Sequence, residues 1–205
     1  MSTCFLVLGQ PRSGTSLAAG ILHHLGIPMG QFIDDPVEPR WDFAGEDEWN
    51  PKGFFEDAAF VNWSFSVMGW PWPECSPVPS QQQLEMLLRL IEERSQPGVN
   101  WGVKSAGLAY CLGDFRRLCR DETIVIRTRR KAVRSVTSWA ARAKCSPEEA
   151  TQIVSAVKNQ VDRIRPDLEL DFDAMTDWPH ILSNFTGRIL THEAATFPDA
   201  TLVRF

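Results

Sequence analysis

Short apolar runs alternate with longer stretches of helical period along this chain. Cys4–Leu8, Asn100–Val103, Thr123–Ile126 and Thr201–Phe205 are brief, apolar and β-branched, which predicts strands buried in a parallel sheet. Between them, apolar positions recur at helical spacing. Ser16–Leu25 predicts a helix stopped by Gly26. Gln81–Arg94 carries Leu84, Leu87, Leu88 and Ile91 on one face. Ala106–Arg120, Ala132–Ala143 and Pro179–Ala195 read as further helices. Ser146-Pro147-Glu148-Glu149 is a capping box with proline at the first helical position, launching a helix towards Arg165. This alternation predicts an α/β fold of three layers, α/β/α, around a mostly parallel sheet of about four to five strands.

One region breaks the alternation. Residues 27–79 are rich in Pro, Trp and acids and are too long for a structureless connection. They predict a lid or substrate-facing insertion after the first helix, most helical over Phe54–Met68. Trp41, Trp49, Trp63, Trp70 and Trp72 all fall here, and aromatic walls suit a sugar or aromatic acceptor. The acids Asp34, Asp35, Glu38, Asp42, Glu46, Asp47 and Glu48 would repel a polyanion, favouring a neutral or cationic acceptor.

With 205 residues the chain predicts a single domain spanning 1–205. Its net charge of −5 disfavours a nucleic-acid binder. No apolar run reaches membrane-spanning length, and Cys4–Leu8 is too short for a secretory core. Five cysteines without metal-ligand spacing read as reduced thiols of a cytoplasmic protein. The positive charge is concentrated: from Arg127 to Lys144 there are seven bases and no acid. That run follows a predicted strand, where α/β folds gather their ligands.

The candidate chemistry begins at Gly9-Gln10-Pro11-Arg12-Ser13-Gly14-Thr15-Ser16. Strand, glycine-bounded loop and helix form the layout of a phosphate-binding loop, a P-loop, whose amides and helix end attract an anion. Thr15 stands where an ATP- or GTP-binding loop carries Lys, and the cation is Arg12, inside the loop. The guanidinium fork suits a two-oxygen contact. The predicted strand ends at Gly9, Lys104 and Arg127 offer no acid for magnesium, which argues against a small ATP-dependent kinase.

Together, several segments resemble the P-loop sulfotransferases, in particular stand-alone bacterial members. That family moves a sulfuryl group from 3′-phosphoadenosine 5′-phosphosulfate (PAPS) to an acceptor. Pro11-Arg12-Ser13-Gly14-Thr15-Ser16 looks like its 5′-phosphosulfate loop. Ile124-Val125-Ile126-Arg127 followed by Arg134-Ser135 is similar to its 3′-phosphate motif, an Arg at a strand end with a Ser eight residues on. Trp101-Gly102-Val103-Lys104-Ser105-Ala106 resembles its strand ending in Lys. Asn50-Pro51-Lys52-Gly53-Phe54-Phe55-Glu56-Asp57 resembles an Asn-x-x-Gly-aromatic-aromatic-Glu segment of bacterial members. The likeness covers residues from about 4 to about 140. Two positions depart from the pattern: where subgroups carry a base, this chain has Val103 and Ala106.

The resemblance implies a PAPS-dependent sulfotransferase acting on a hydroxyl or amine of a small-molecule or glycan acceptor, with adenosine 3′,5′-bisphosphate as product. Arg12, Ser13, Gly14, Thr15 and Ser16 would hold the 5′-phosphosulfate, and Arg127 with Ser135 the 3′-phosphate. Lys104 at its strand end would stabilise the leaving phosphate. For the proton acceptor the residues point to Glu56, whose two preceding Phe side chains could desolvate it, and then to Asp57. An N-terminal helix carboxylate is the competing role for Glu56. His23 and His24 read as packing or surface residues. No metal is required. The alternative of another class is a nucleotide-binding P-loop module that does not catalyse transfer.

Overall fold

The computed structural model describes residues 2–30, 55–69 and 77–198. Four strands form the sheet: β1 (Thr3–Gly9), β2 (Trp101–Lys104), β3 (Glu122–Arg129) and β4 (Leu168–Asp171). Their order is β2-β1-β3-β4 and every pair is parallel. The central strand β1 is buried from Cys4 to Gly9, as its unbroken apolar run requires.

Strand alternation sends Leu6, Leu8 and Val125 to one face and Phe5, Val7 and Ile126 to the other. The first face is covered by α2 (Ala58–Met68), α3 (Gln81–Arg94), α4 (Leu112–Leu118) and α6 (Pro147–Asp162), through Phe60, Trp63, Leu87, Phe115 and Val157. The second is covered by α1 (Thr15–His24), α7 (Trp178–Thr186) and α8 (His192–Thr196), through Leu17, Ile21, Trp178, Leu182 and Ala194. The remaining helix, α5 (Ala132–Ala143), follows β3 and packs along α6. The architecture is the three-layer α/β/α sandwich that the alternation predicts.

Local signals explain most boundaries. Ser80 with Gln83, and Ser146 with Glu149, form reciprocal capping boxes at the starts of α3 and α6. The structure departs from expectation in three places. Ala106–Arg120 is a 3₁₀ turn, Ala106–Ala109, followed by the short α4. Pro179–Ala195 is split at Gly187, which takes φ +64° and closes α7 before α8 begins. The fourth strand, β4, is edge-placed and buries only Leu170 fully, so its Leu-Glu-Leu-Asp sequence lacks the apolar run that marks the others. The expected strand Thr201–Phe205, most of the 27–79 insertion, Cys75 and the Trp41, Trp49, Trp70 and Trp72 side chains lie outside the described residues. Trp63 is buried in the core, and Cys4, Cys111, Cys119 and Cys145 are free thiols. Among the described residues no helix is long and apolar enough to cross a membrane.

Candidate active site

The C-terminal edge of the parallel sheet, where β1, β2 and β3 end, gathers the candidate residues. Between β1 and α1 the loop turns through two left-handed residues, Arg12 at φ +66° and Gly14 at φ +93°. Gly9 is required by close approach: a Cβ there would stand 2.5 Å from Ser13 Oγ and 2.8 Å from Thr15 Cγ2, and would overlap Thr128 Oγ1. Ser13 is fully buried, donates to the Gln10 carbonyl at 2.7 Å and shares a 2.7 Å hydrogen bond with Thr128 of β3. Gly14 precedes α1 without a capping side chain, so the helix presents its first N–H groups to the space before it. A loop that excludes side chains at Gly9 and Gly14 and ends on an uncapped helix fits a phosphate or sulfate group.

Lys104, the last residue of β2, is buried, with its side chain 6% exposed. Its Nζ lies 2.9 Å from Ser16 Oγ, in the first turn of α1, and 2.9 Å from Glu56 Oε1. Three sequence candidates from distant segments therefore meet at one ammonium. Burial pulls the Lys104 pKa below the usual lysine value, Glu56 opposes that shift, and Arg12 reinforces it.

Asp57 has another task. Its carboxylate caps α2, accepting from the N–H groups of Ala59 and Phe60, and pairs with Arg94 Nε at 2.7 Å. It is 1% exposed, and its side chain fills the space a Cβ on Gly30 would need. Asp57 is thus joined to a helix end and to a half-buried guanidinium.

The basic run after β3 has its own partners. Arg127 lies inside β3, on the face of Val125. Its Nε donates to Glu169 Oε2 at 2.8 Å, Nη2 reaches the same oxygen, and Nη1 donates to the carbonyls of Val161 and Ile164. Ser135 is buried under the loop, where its Oγ accepts from Gln10 Nε2 at 2.8 Å. Arg127 is thus part of the sheet edge and the end of α6, and Ser135 is a staple between loop and α5.

Arg130 and Ser138, which sequence reasoning passed over, stand at the phosphate loop. Arg130 Nη1 donates to the Arg12 carbonyl at 3.2 Å, and its guanidinium lies 4.6 Å from the centre of the Phe172 ring. Ser138 Oγ accepts from Arg12 Nε at 3.0 Å. Phe172, just after β4, also closes on Gly14: a Cβ there would come 2.5 Å from its ring. Arg142, one turn beyond Ser138, completes the cluster. Burial lowers the Arg12 pKa with help from Arg130, and burial with the Arg12 charge brings Arg142 down to about 10. Burial and neighbouring like charge both disfavour these cations. A signal for the pair was present, because Arg130 and Ser138 are also eight residues apart. Among the described residues no cluster of His, Cys, Asp or Glu is placed to hold a metal.

The fold is similar to that of two solved mycobacterial sulfotransferases. The chain superposes on sulfotransferase STF9 from Mycobacterium avium with a TM-score of 0.56 at 12% identity, covering 96% of this chain and 66% of that one. It superposes on sulfotransferase STF1 from Mycobacterium tuberculosis H37Rv with a TM-score of 0.51 at 15% identity, covering 96% and 70%. The chain thus spans about two thirds of the length of these neighbours. No family model matches the sequence, and no curated protein matches it.

Proposed function

We propose that this chain transfers a sulfuryl group from PAPS to a hydroxyl or amine of a small acceptor. The observation that carries the reading is the meeting of Ser16, Lys104 and Glu56 at the end of the phosphate loop. It joins an anion cradle, a buried cation and a carboxylate, the groups that an in-line transfer needs.

In this reading Arg12 and the amides of Ser13, Gly14, Thr15 and Ser16 hold the 5′-phosphosulfate. As the acceptor atom bonds to sulfur, the bond from sulfur to the bridging phosphate oxygen breaks. Lys104 stabilises the charge that grows on that oxygen. Glu56 accepts the acceptor's proton. Arg130 and Ser138 take the 3′-phosphate in place of Arg127 and Ser135, which are committed to Glu169 and Gln10. The free thiols support a cytoplasmic setting.

Thermal shift and transfer assays test this together. Adenosine 3′,5′-bisphosphate at a hundredfold excess over its dissociation constant should stabilise the fold by about 2.7 kcal/mol, and ATP with magnesium should do little. Labelled PAPS should deliver sulfate to members of an acceptor library, and Arg12→Ala should abolish delivery. A larger shift with ATP favours a kinase. Binding of the bisphosphate without transfer to any acceptor favours a non-catalytic nucleotide module.

A further inference from the structure

Phe55 is a bulky residue in the left-handed region, at φ +51°. Such a conformation persists only where its surroundings over-determine it. Here the Phe55 ring is buried against Phe197, at 5.6 Å between centroids and edge-to-face, and lies 5.7 Å from the His23 ring. Both Phe rings settle over Gly20, in the middle of α1. A Cβ on Gly20 would overlap the Phe197 ring and stand 2.9 Å from Phe55 Cε2. Phe197 is itself held by α8, where Thr191 caps the helix and donates its hydroxyl to the His24 carbonyl at 3.0 Å.

The next two residues are Glu56 on Lys104 and Asp57 on Arg94. Three consecutive side chains are therefore fixed at three separate points, and the backbone turn at Phe55 sets the direction of Glu56. We infer that Gly20 and Phe197 are positioning residues: they form the notch that seats Phe55 and so hold Glu56 at Lys104. The inference rests on the proposed role of Glu56 for its catalytic meaning, while the seating itself is a property of the fold. It ties a segment near residue 197 to chemistry at the far end of α1.

A thermal unfolding cycle on the full chain tests the seating without any assay of transfer. Glu56→Gln removes a carboxylate from the buried Lys104 ammonium and should lower Tm. In a Gly20→Ala background, where alanine favours the helix but evicts the rings, the same substitution should lower Tm far less. Phe197→Ala should act likewise, and Phe197→Leu, which refills the notch, should restore most of the difference. Equal drops in every background, or no effect of Glu56→Gln in the unmodified chain, would overturn the inference. Where transfer is measured, Gly20→Ala should cut kcat by about ten- to a hundredfold with donor KM nearly unchanged. A raised donor KM at unchanged kcat would also overturn it. Absence of transfer in the unmodified chain would instead refute the sulfotransferase reading, and the unfolding cycle would still decide the seating.

Discussion

Two strand-to-helix crossings meet at the same sheet edge, β1 into α1 and β3 into α5, and in the proposed function they approach an anion differently. The first uses backbone. Gly9 and Gly14 strip side chains from the loop, Ser13 pins it to Thr128, and an uncapped helix end faces the ligand space. The second has no glycine and uses side chains, with Arg130 braced on Phe172 and Ser138 joined to Arg12. A backbone cradle fixes geometry, whereas guanidiniums on a helix start supply charge. The two crossings divide the labour: the first, with Lys104 beside it, should govern rate, and the second should govern donor affinity.

The largest expected effect breaks or upholds that division directly. Lys104→Ala removes the cation beside Ser16 and should lower kcat by about 10²- to 10³-fold, the scale for one electrostatic group at a developing charge. Donor KM should change little. A KM effect exceeding the kcat effect would place Lys104 among the affinity groups and collapse the distinction.

Next comes the choice between two arginines three residues apart. Arg130→Ala should weaken adenosine 3′,5′-bisphosphate by roughly ten- to a hundredfold, the worth of a charged hydrogen bond. Arg127→Ala should leave that affinity within about twofold while lowering Tm, because Arg127 serves Glu169, Val161 and Ile164. Titration by thermal shift or calorimetry reads both. The reverse pattern would return the 3′-phosphate to Arg127.

Gly9→Ala probes the backbone half of the comparison. Its Cβ would intrude on Ser13, Thr15 and Thr128, and overpacking of this kind costs typically about 1–3 kcal/mol. Denaturant unfolding should show the loss, together with a reduced kcat. An unchanged loop would mean that the Ser13–Thr128 contact does not set its shape.

The same contrast explains what could be read from the sequence. The first crossing was legible because glycines fix its frame: one strand end, one loop length, one helix start. The second is ambiguous in the sequence, because Arg127 and Ser135 share their spacing with Arg130 and Ser138. Strand parity separates them, since Arg127 sits inside β3 and Arg130 follows its end. Glu56 ranks ahead of Asp57 in the sequence only through the Phe residues before it, since the partners of these adjacent acids, Lys104 and Arg94, arrive from remote segments. The edge strand β4 escaped notice because half its residues face solvent, and with it went Phe172, the ring beneath Arg130.

The smallest effect sharpens the position of Arg127 from its partner's side. Burial would raise the Glu169 pKa, but hydrogen bonds from Arg129 and Arg127 outweigh it and hold the carboxyl below its ordinary value. A depressed carboxylate stabilises the fold above its unfolded pKa, and that contribution disappears as pH falls through the folded one. Glu169 is 36% exposed, so solvent screening limits the effect to below about 1 kcal/mol. Glu169→Gln should therefore lower Tm slightly at neutral pH, and the two melting curves should converge in acid. The nucleotide-induced shift should be the same in both proteins, because the Arg127–Glu169 pair lies outside the proposed donor site. A shift that changes with Glu169→Gln would put Arg127 back against the donor and erase the separation between the two crossings.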